Sequence, residues 1–315
     1  MSYTFNITQA ICFFHIILYF VKIFILEYAA AFCYIISEVK IMKIIKKLLI
    51  AFAIVIVFLG ISVGIGFGAK RISSNLTLSG LLDTEFYLTA HRGFSSIAPE
   101  NTAPALIEAG KAGFYAAEFD IQPTADGVWV LMHNDEIDKM MDGEGEVKNF
   151  TYAQLLEMNI DAGKGIENYP GLKISTLEEA LDICIEYSMR PMIEVKGGEP
   201  EDMQSVLDVI NAKGVKDTAI IIDFNSDRVS AMRALDADIE IWFLMNKITD
   251  EIMEFVKENN TGIGFNFGIP QNYFYINQAK AEGITLGSWT VDIPFIVDVL
   301  NAAGVDYITT NKILP

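Results

Sequence analysis

Histidine and cysteine are both scarce in this 315-residue chain, at three of each. Cys12 and Cys33 lie in an apolar run near the N-terminus and only Cys184 follows. No disulfide can therefore form within the downstream domain, and a cysteine-built zinc site is excluded there. Cys184 falls on a helical pattern and reads as a core residue. Positive charge is also sparse, with 23 Lys and Arg against 41 Asp and Glu. The imbalance is uneven: residues 1–71 are net +5, while residues 72–315 are net −23. A domain that acidic repels a phosphate backbone, which argues against a nucleic-acid partner. Charge is missing altogether from the 21 residues between Leu48 and Gly68. At ~1.5 Å rise per residue that run spans roughly 30 Å, the thickness of a bilayer's hydrocarbon core, and it reads as a transmembrane helix.

Lys40, Lys43, Lys46 and Lys47 precede this run, against Lys70 and Arg71 after it. The lysine excess favours a cytoplasmic N-terminal flank, a cell-membrane location and an extracytoplasmic downstream domain. An earlier apolar stretch, Phe5 to Ile36, is interrupted by His15, Lys22 and Glu27 and is a weaker span. Met42 opens Met-Lys-Ile-Ile-Lys-Lys ahead of the apolar core, as a signal-anchor begins. Residues 1–41 are accordingly read as an upstream extension, with translation starting at Met42, or as an extra transmembrane segment. Residues 42–71 are read as a transmembrane signal-anchor and 72–84 as a linker. The core exceeds the ~7–15 residues of a cleaved signal peptide, and no clear small-x-small site follows it, so an anchor is expected.

From residue 85 to 315, short β-rich runs alternate with helical ones. The strands read are 86–91, 116–121 with an extension at 128–133, 191–196, 218–223, 239–245, 262–267, 284–290 and 306–310. Helical patterns at 176–187, 201–212, 227–235, 249–258 and 293–302 fall between most of them. Thr176 with Glu178 and Glu179 opens one helix, and Gly214, Gly283 and Gly304 close others. Eight strands so connected predict an α/β fold, a parallel (β/α)8 TIM barrel. A doubly wound open sheet is the rival, but it would draw its ligand residues from one switch point rather than from several strand ends. Residues 134–174 do not fit the alternation and are expected to cover the site.

Two histidines lie at candidate strand ends. His91 sits in Ala90-His91-Arg92-Gly93, followed by Pro99-Glu100-Asn101-Thr102, and His133 closes Leu131-Met132-His133. Between them come Glu118-Phe119-Asp120 and Thr124-Ala125-Asp126-Gly127. Glu118 and Asp120, two apart on a strand, point to one face, and Glu194 in Ile193-Glu194-Val195-Lys196 ends the next strand. Three carboxylates without cysteine suit a hard, oxygen-seeking ion, Ca²⁺ or Mg²⁺. Arg92 offers forked donors and Lys196 a point charge for a phosphate. Each residue also has a plainer reading. Glu194 with Lys196 forms a strand-end ion pair, His133 and Trp289 are core, Glu100 favours a helix start, and Asn101 and Thr102 are caps. Phe267 is a candidate apolar wall.

Together the HRG, PENT, ExD, TxDG and strand-final His words, in this order between residues 91 and 133, resemble the glycerophosphodiester phosphodiesterase family. The resemblance implies a metal-dependent hydrolase that converts small-molecule glycerophosphodiesters to sn-glycerol 3-phosphate and an alcohol. It assigns Glu118, Asp120 and Glu194 to one divalent cation and His91 and His133 to acid–base catalysis. It places Glu100 near them, Trp289 beside a glycerol pocket, and residues 134–174 as a small insertion after the second strand. Three positions depart from its pattern: Asp292 follows Trp289-Thr290-Val291 where Asn is common, Asn134 follows His133 where Asp is common, and Thr310-Asn311-Lys312 replaces Thr-Asp-Arg. These put substrate preference in doubt more than activity. The alternatives are a phospholipase D-type enzyme acting on lysophospholipid head groups, and a catalytically silent membrane-tethered barrel, which predicts loss of a core site residue.

Overall fold

A computed structural model of the chain describes residues 86–312. The expected membrane segments and linker lie outside the described residues, among which no helix is long and apolar enough to cross a membrane. In chain order the elements are β1 (Tyr87–Ala90), α1 (Ala103–Ala112), β2 (Ala116–Pro123), β3 (Trp129–Leu131), α2 (Tyr152–Glu157), α3 (Leu177–Glu186), β4 (Arg190–Val195), α4 (Met203–Lys213) and β5 (Ile220–Asp223). They continue with α5 (Ser226–Leu235), β6 (Glu240–Met245), α6 (Asp250–Glu258), β7 (Gly262–Asn266), α7 (Ile276–Ala281), β8 (Leu286–Trp289), α8 (Pro294–Ala302) and β9 (Tyr307–Thr310).

Every strand except β3 joins a parallel ring, which closes because β1 pairs with both β2 and β9. Closure removes the sheet edges and excludes the doubly wound alternative. The segment expected to prolong β2 is a separate strand: β3 turns back antiparallel onto Ile121 to Pro123. Its turn is built by Thr124 and Asp126, whose side chains bond each other at 2.6 Å while Asp126 also accepts from the Tyr152 N–H. The TxDG word is therefore structural.

Period-two alternation sorts the strand residues. Phe119, Ile121, Ile193, Val195, Ile221 and Ile241 face the helices. Met192, Ile220, Ile222, Trp242, Leu244 and Tyr307 fill the interior. At the N-terminal end of the ring, Arg190 joins Glu240 at 2.7 Å and the Tyr307 hydroxyl at 2.6 Å. The Tyr87 and Tyr115 rings stack there at 3.9 Å. That plug leaves the opposite, C-terminal end of the strands as the open one. The insertion corrects an expectation. Residues 134–174 build their own core around Ile137, Met141, Val147, Leu155 and Ile160, and none of them lines the central cavity. Their apolar side chains are consumed locally; Gly163 packs against Pro99, while Asp135, Glu146 and Lys148 face Gly197 and Gly198 across a second cavity.

Trp242 is the largest fully buried side chain, 2% exposed, and it occupies the ring floor because Gly262 and Gly287 leave room for its indole. A Cβ on either glycine would overlap that rigid ring. Gly262→Ala is thus expected to cost about 1–3 kcal/mol as overpacking. The check is a urea melt, in which the midpoint falls while the slope is unchanged; an unaltered midpoint would show that the floor has slack.

Candidate active site

The site is assembled by the ring's register. Asp120 and Glu194 are direct partners across the β2–β4 pairing, with Glu118 one inward position below on β2. The three carboxylates bring ligand atoms within 4.8 Å of one another, and Glu118 and Asp120 are 3% and 1% exposed. Burial first, then the charges of Asp120 and Glu194, push Glu118 well above the usual carboxylate range. The same causes, burial and Asp120, push Glu194 to about 7 despite Lys196. Glu118 Oε1 and Asp120 Oδ1 are buried and accept no hydrogen bond. Orphaned carboxylate oxygens facing a third carboxylate fit a hard divalent cation, which would replace the missing donors.

Positive groups bracket the carboxylates. Lys196 Nζ lies 2.8 Å from Glu194 Oε1 and 3.9 Å from Asp120 Oδ1. Burial alone would lower its pKa, but Glu194 and Asp120 hold it above the usual lysine value. The expected ion pair of Glu194 and Lys196 is thus present, and it leaves Glu194 within the carboxylate cluster. Arg92 adopts φ +57°, a left-handed turn straight after β1. That turn aims its backbone N–H at Glu118 Oε2, 2.8 Å away, and its Nη1 at Glu100 Oε1, 2.7 Å away. Glu100 is the partner of Arg92 and lines neither the cavity nor the carboxylate cluster.

The histidines face the same cavity, which measures about 250 Å³. His91 Nδ1 is 2.7 Å from Asn311 Oδ1. Burial, then the Arg92 charge, lower its pKa. His133 Nδ1 is 3.1 Å from Asn134 Oδ1, and its Nε2 is 3.4 Å from Lys196 Nζ. His133 is therefore part of the cavity wall, not a satisfied core histidine. Trp289 ends β8 in that wall, its ring meeting Phe224 edge-on at 5.6 Å between centroids. The second apolar wall expected at Phe267 is supplied by Phe224 instead. Phe267 packs outside the ring with the core of β7, β8 and α8. Phe224 carried a usable signal, since it directly follows the buried run of β5.

Several residues that position the site were not singled out for that role. Asn101, at φ +54°, clamps Asp120 in both directions, donating to Oδ2 at 2.8 Å and accepting from its N–H at 2.9 Å. Thr102 alone is the cap, accepting from the Ala105 N–H at the start of α1. Gln122 donates to the carbonyls of Met132 and Asn134, fixing the segment that carries His133. Asp223 holds Arg228, which reaches the Val195 and Gly198 carbonyls on either side of Lys196.

Residues 91–314 match the Glycerophosphoryl diester phosphodiesterase family. The chain is 30% identical over 228 residues to a glycerophosphodiester phosphodiesterase of Caldanaerobacter subterraneus subsp. tengcongensis, covering 70% of this chain and 92% of that one. It is 32% identical over 152 residues to human glycerophosphodiester phosphodiesterase 1, covering 48% of this chain and 46% of the relative, so it spans about half that protein's length. Among solved structures it resembles an Oleispira antarctica phosphodiesterase in complex with the product sn-glycerol-3-phosphate. That match has TM-score 0.68 at 24% identity, covering 73% of this chain and 95% of that one.

A carboxyl that holds its proton more tightly in the folded chain stabilises the fold only while protonated. The contribution of Glu194 is complete below its ordinary 4.5 and is lost as pH rises through about 7. Chelated protein should therefore lose thermal stability between pH 5 and 7 more steeply than its Glu194→Gln variant. Ca²⁺ or Mg²⁺ should raise the midpoint more at pH 7 than at pH 5. Parallel pH profiles for the two proteins, or no response to either ion, would remove the cation site.

Proposed function

The chain belongs to the glycerophosphoryl diester phosphodiesterase family, and from that premise we propose that it hydrolyses glycerophosphodiesters to sn-glycerol 3-phosphate and an alcohol. The observation that carries this reading is the convergence of Glu118, Glu194, two histidines and two cationic side chains on one cavity, with Asp120 clustered against the two glutamates and two carboxylate oxygens lacking a hydrogen bond. Glu118, Asp120 and Glu194 would hold one divalent cation, Ca²⁺ or Mg²⁺. When bound, that ion neutralises charge on the phosphate and makes phosphorus easier to attack.

The rest falls to the chain's own groups. Lys196 and Arg92 carry positive charge beside the carboxylates, where a diester's anionic oxygens need it. One histidine takes the proton of the attacking oxygen, either of water or of the glycerol 2-hydroxyl, whose cyclic phosphate water then opens, and the other gives a proton to the departing alkoxide. Trp289 and Phe224 offer an apolar wall to the organic part of the substrate. The cavity's 250 Å³ lies below the roughly 300–1,000 Å³ of drug-sized ligand sites. That size favours a water-soluble diester over the lysophospholipid reading, because a head group fills it before an acyl chain is counted.

The same proposal places the barrel at a membrane. Its support is the 21-residue uncharged run from Leu48 to Gly68 and the lysines before it, which orient the barrel to the extracytoplasmic side.

The test uses the detergent-solubilised full chain with glycerophosphocholine, glycerophosphoglycerol and lysophosphatidylcholine, with and without chelator. Glycerol 3-phosphate release from the two soluble diesters should require the cation. Release should fall about 10²–10⁴-fold in His133→Ala, the range for losing an acid or base. Glu118→Gln should abolish the response to metal while the protein remains folded. Choline release confined to the lysophospholipid would replace this reading with the lipid one, and no release from any of the three would leave a silent barrel.

A further inference from the structure

Two of the positions at which the chain departs from the family's usual pattern, Asp292 and Asn311, are 19 residues apart in sequence and meet in the fold. Asn311 Nδ2 donates to Asp292 Oδ2 at 2.7 Å, and the Asn311 backbone N–H donates to Asp292 Oδ1 at 2.8 Å. Thr310 Oγ1 adds a third bond to Asp292 Oδ1 at 2.8 Å. Burial would raise the Asp292 pKa, but these hydrogen bonds from Asn311 and Thr310 hold it below the ordinary aspartate value. Asp292 is thus an ionised carboxylate, which can only accept.

That property fixes everything next to it. The amide nitrogen of Asn311 must face Asp292, so its oxygen must face the other way. Ser95 Oγ, donating to Asn311 Oδ1 at 3.1 Å, agrees with that orientation. The atom 2.7 Å from that oxygen is His91 Nδ1. An amide oxygen cannot donate, so Nδ1 carries the hydrogen and the neutral ring keeps its lone pair on Nε2.

Resting on the phosphodiesterase reading, we infer that Asn311, oriented by Asp292, is a positioning residue that fixes His91 in the tautomer whose Nε2 can accept a proton. The acid and the amide have exchanged places relative to the usual pattern. The carboxylate stands one residue further from the histidine, and the amide passes its polarity on. His91 gains a defined ring orientation without a carboxylate hydrogen-bonded to its Nδ1. Asp292 and Asn311 therefore act as one hydrogen-bonded pair.

The coupling makes an asymmetric prediction. In Asp292→Asn the new side chain has one oxygen to offer. If it keeps the Asn311 backbone N–H, its own NH₂ confronts the NH₂ of Asn311. Turning the Asn311 amide relieves that clash, but it presents a donor to His91 Nδ1 and forces the hydrogen onto Nε2. In Asn311→Asp two carboxylates face each other. The double variant Asp292→Asn/Asn311→Asp restores a donor opposite an acceptor and an oxygen opposite His91.

Each single variant should lose about 100-fold in kcat, the scale of a misplaced proton acceptor, with KM within about threefold. The double variant should recover at least tenfold over either single, a non-additivity that separated, merely structural roles do not produce. Thermal midpoints of all four proteins control for folding. A second readout does not depend on turnover: the long-range ¹H–¹⁵N spectrum of His91, assigned with His91→Gln. It should show hydrogen on Nδ1 in the native chain, on Nε2 in Asp292→Asn, and on Nδ1 again in the double variant. A folded double variant no better than the worse single, or a native His91 with its hydrogen on Nε2, would overturn the inference. Correct tautomers in a native chain that hydrolyses none of the diesters would instead sink the phosphodiesterase reading and leave the tautomer assignment standing.

Discussion

Three carboxylates held within 4.8 Å of one another in a nearly dry pocket set the terms for the rest of this structure. At that spacing, and an effective dielectric of about 20, each ionised pair repels by roughly 3 kcal/mol. The carboxylates stay together because the barrel leaves their strands no choice. Asp120 and Glu194 are register partners in a ring with no free edge along which to slip. The surroundings then offset the repulsion in three ways. Lys196 and Arg92 supply charge, the Arg92 N–H and the Asn101 amide supply hydrogen bonds, and Glu118 and Glu194 shift toward their protonated forms. Two oxygens are still left without a hydrogen bond. A divalent cation at that point is the economical solution to the electrostatics, and the proposed chemistry makes use of a site the fold already strains to accommodate.

The supporting groups are mostly neutral amides anchored to backbone. Asn101 holds Asp120, Gln122 holds the segment before His133, and Asn311 holds His91. A charged group in any of these places would add a Coulomb interaction with the carboxylates and alter what they bind. An amide orients its neighbour by hydrogen bonding alone. Where a full charge is used, as in the Asp223–Arg228 pair, the two neutralise each other and Arg228 spends its remaining donors on the Val195 and Gly198 carbonyls. The loop that carries Lys196 is thereby fixed without a net charge being added beside it.

That division explains what the sequence made legible. The strands of the ring could be read because parallel strands buried on both faces are continuous apolar runs, as in Ile220 to Ile222 and Ile241 to Leu244. Glu118 and Asp120 stood out because a carboxylate two residues from another, inside such a run, has no solvent to explain it. The polarity of β3 was hidden: a three-residue strand carries no directional pattern, and only the Thr124–Asp126 turn reverses it. Phe267 and Phe224 are both aromatics next to strand ends. Which of them enters the cavity depends on whether the strand's final residue points in or out, a boundary finer than the apolar pattern resolves. Asn101, Gln122 and Asn311 carry no charge, and Asn311 meets His91 across 220 residues. Their roles appear only when the ring closes and brings β9 beside β1.

Within the closed ring, the charged and apolar halves of the cavity come from different arcs. His91, Arg92, Glu118, His133, Glu194 and Lys196 belong to β1, β2 with its antiparallel partner β3, and β4, and to the segments after them. Ile222, Phe224, Leu244 and Trp289 belong to β5, β6 and β8. A phosphodiester has the same asymmetry, with its negative charge at one point and carbon on either side. The proposal therefore puts charge recognition and acid–base chemistry on one arc, whose side chains are held mostly by hydrogen bonds. In the same proposal substrate shape is met by the other arc, whose contacts are dispersion and aromatic edges. Glycines at 264 and 287 on the apolar arc set how far that wall stands back. Under the proposed reading, selectivity for the alcohol can drift on β5 to β8 with little effect on the carboxylates, because the side-chain links between the arcs, Arg228 to the Val195 and Gly198 carbonyls and Arg190 to Glu240, end on backbone or at the far end of the ring.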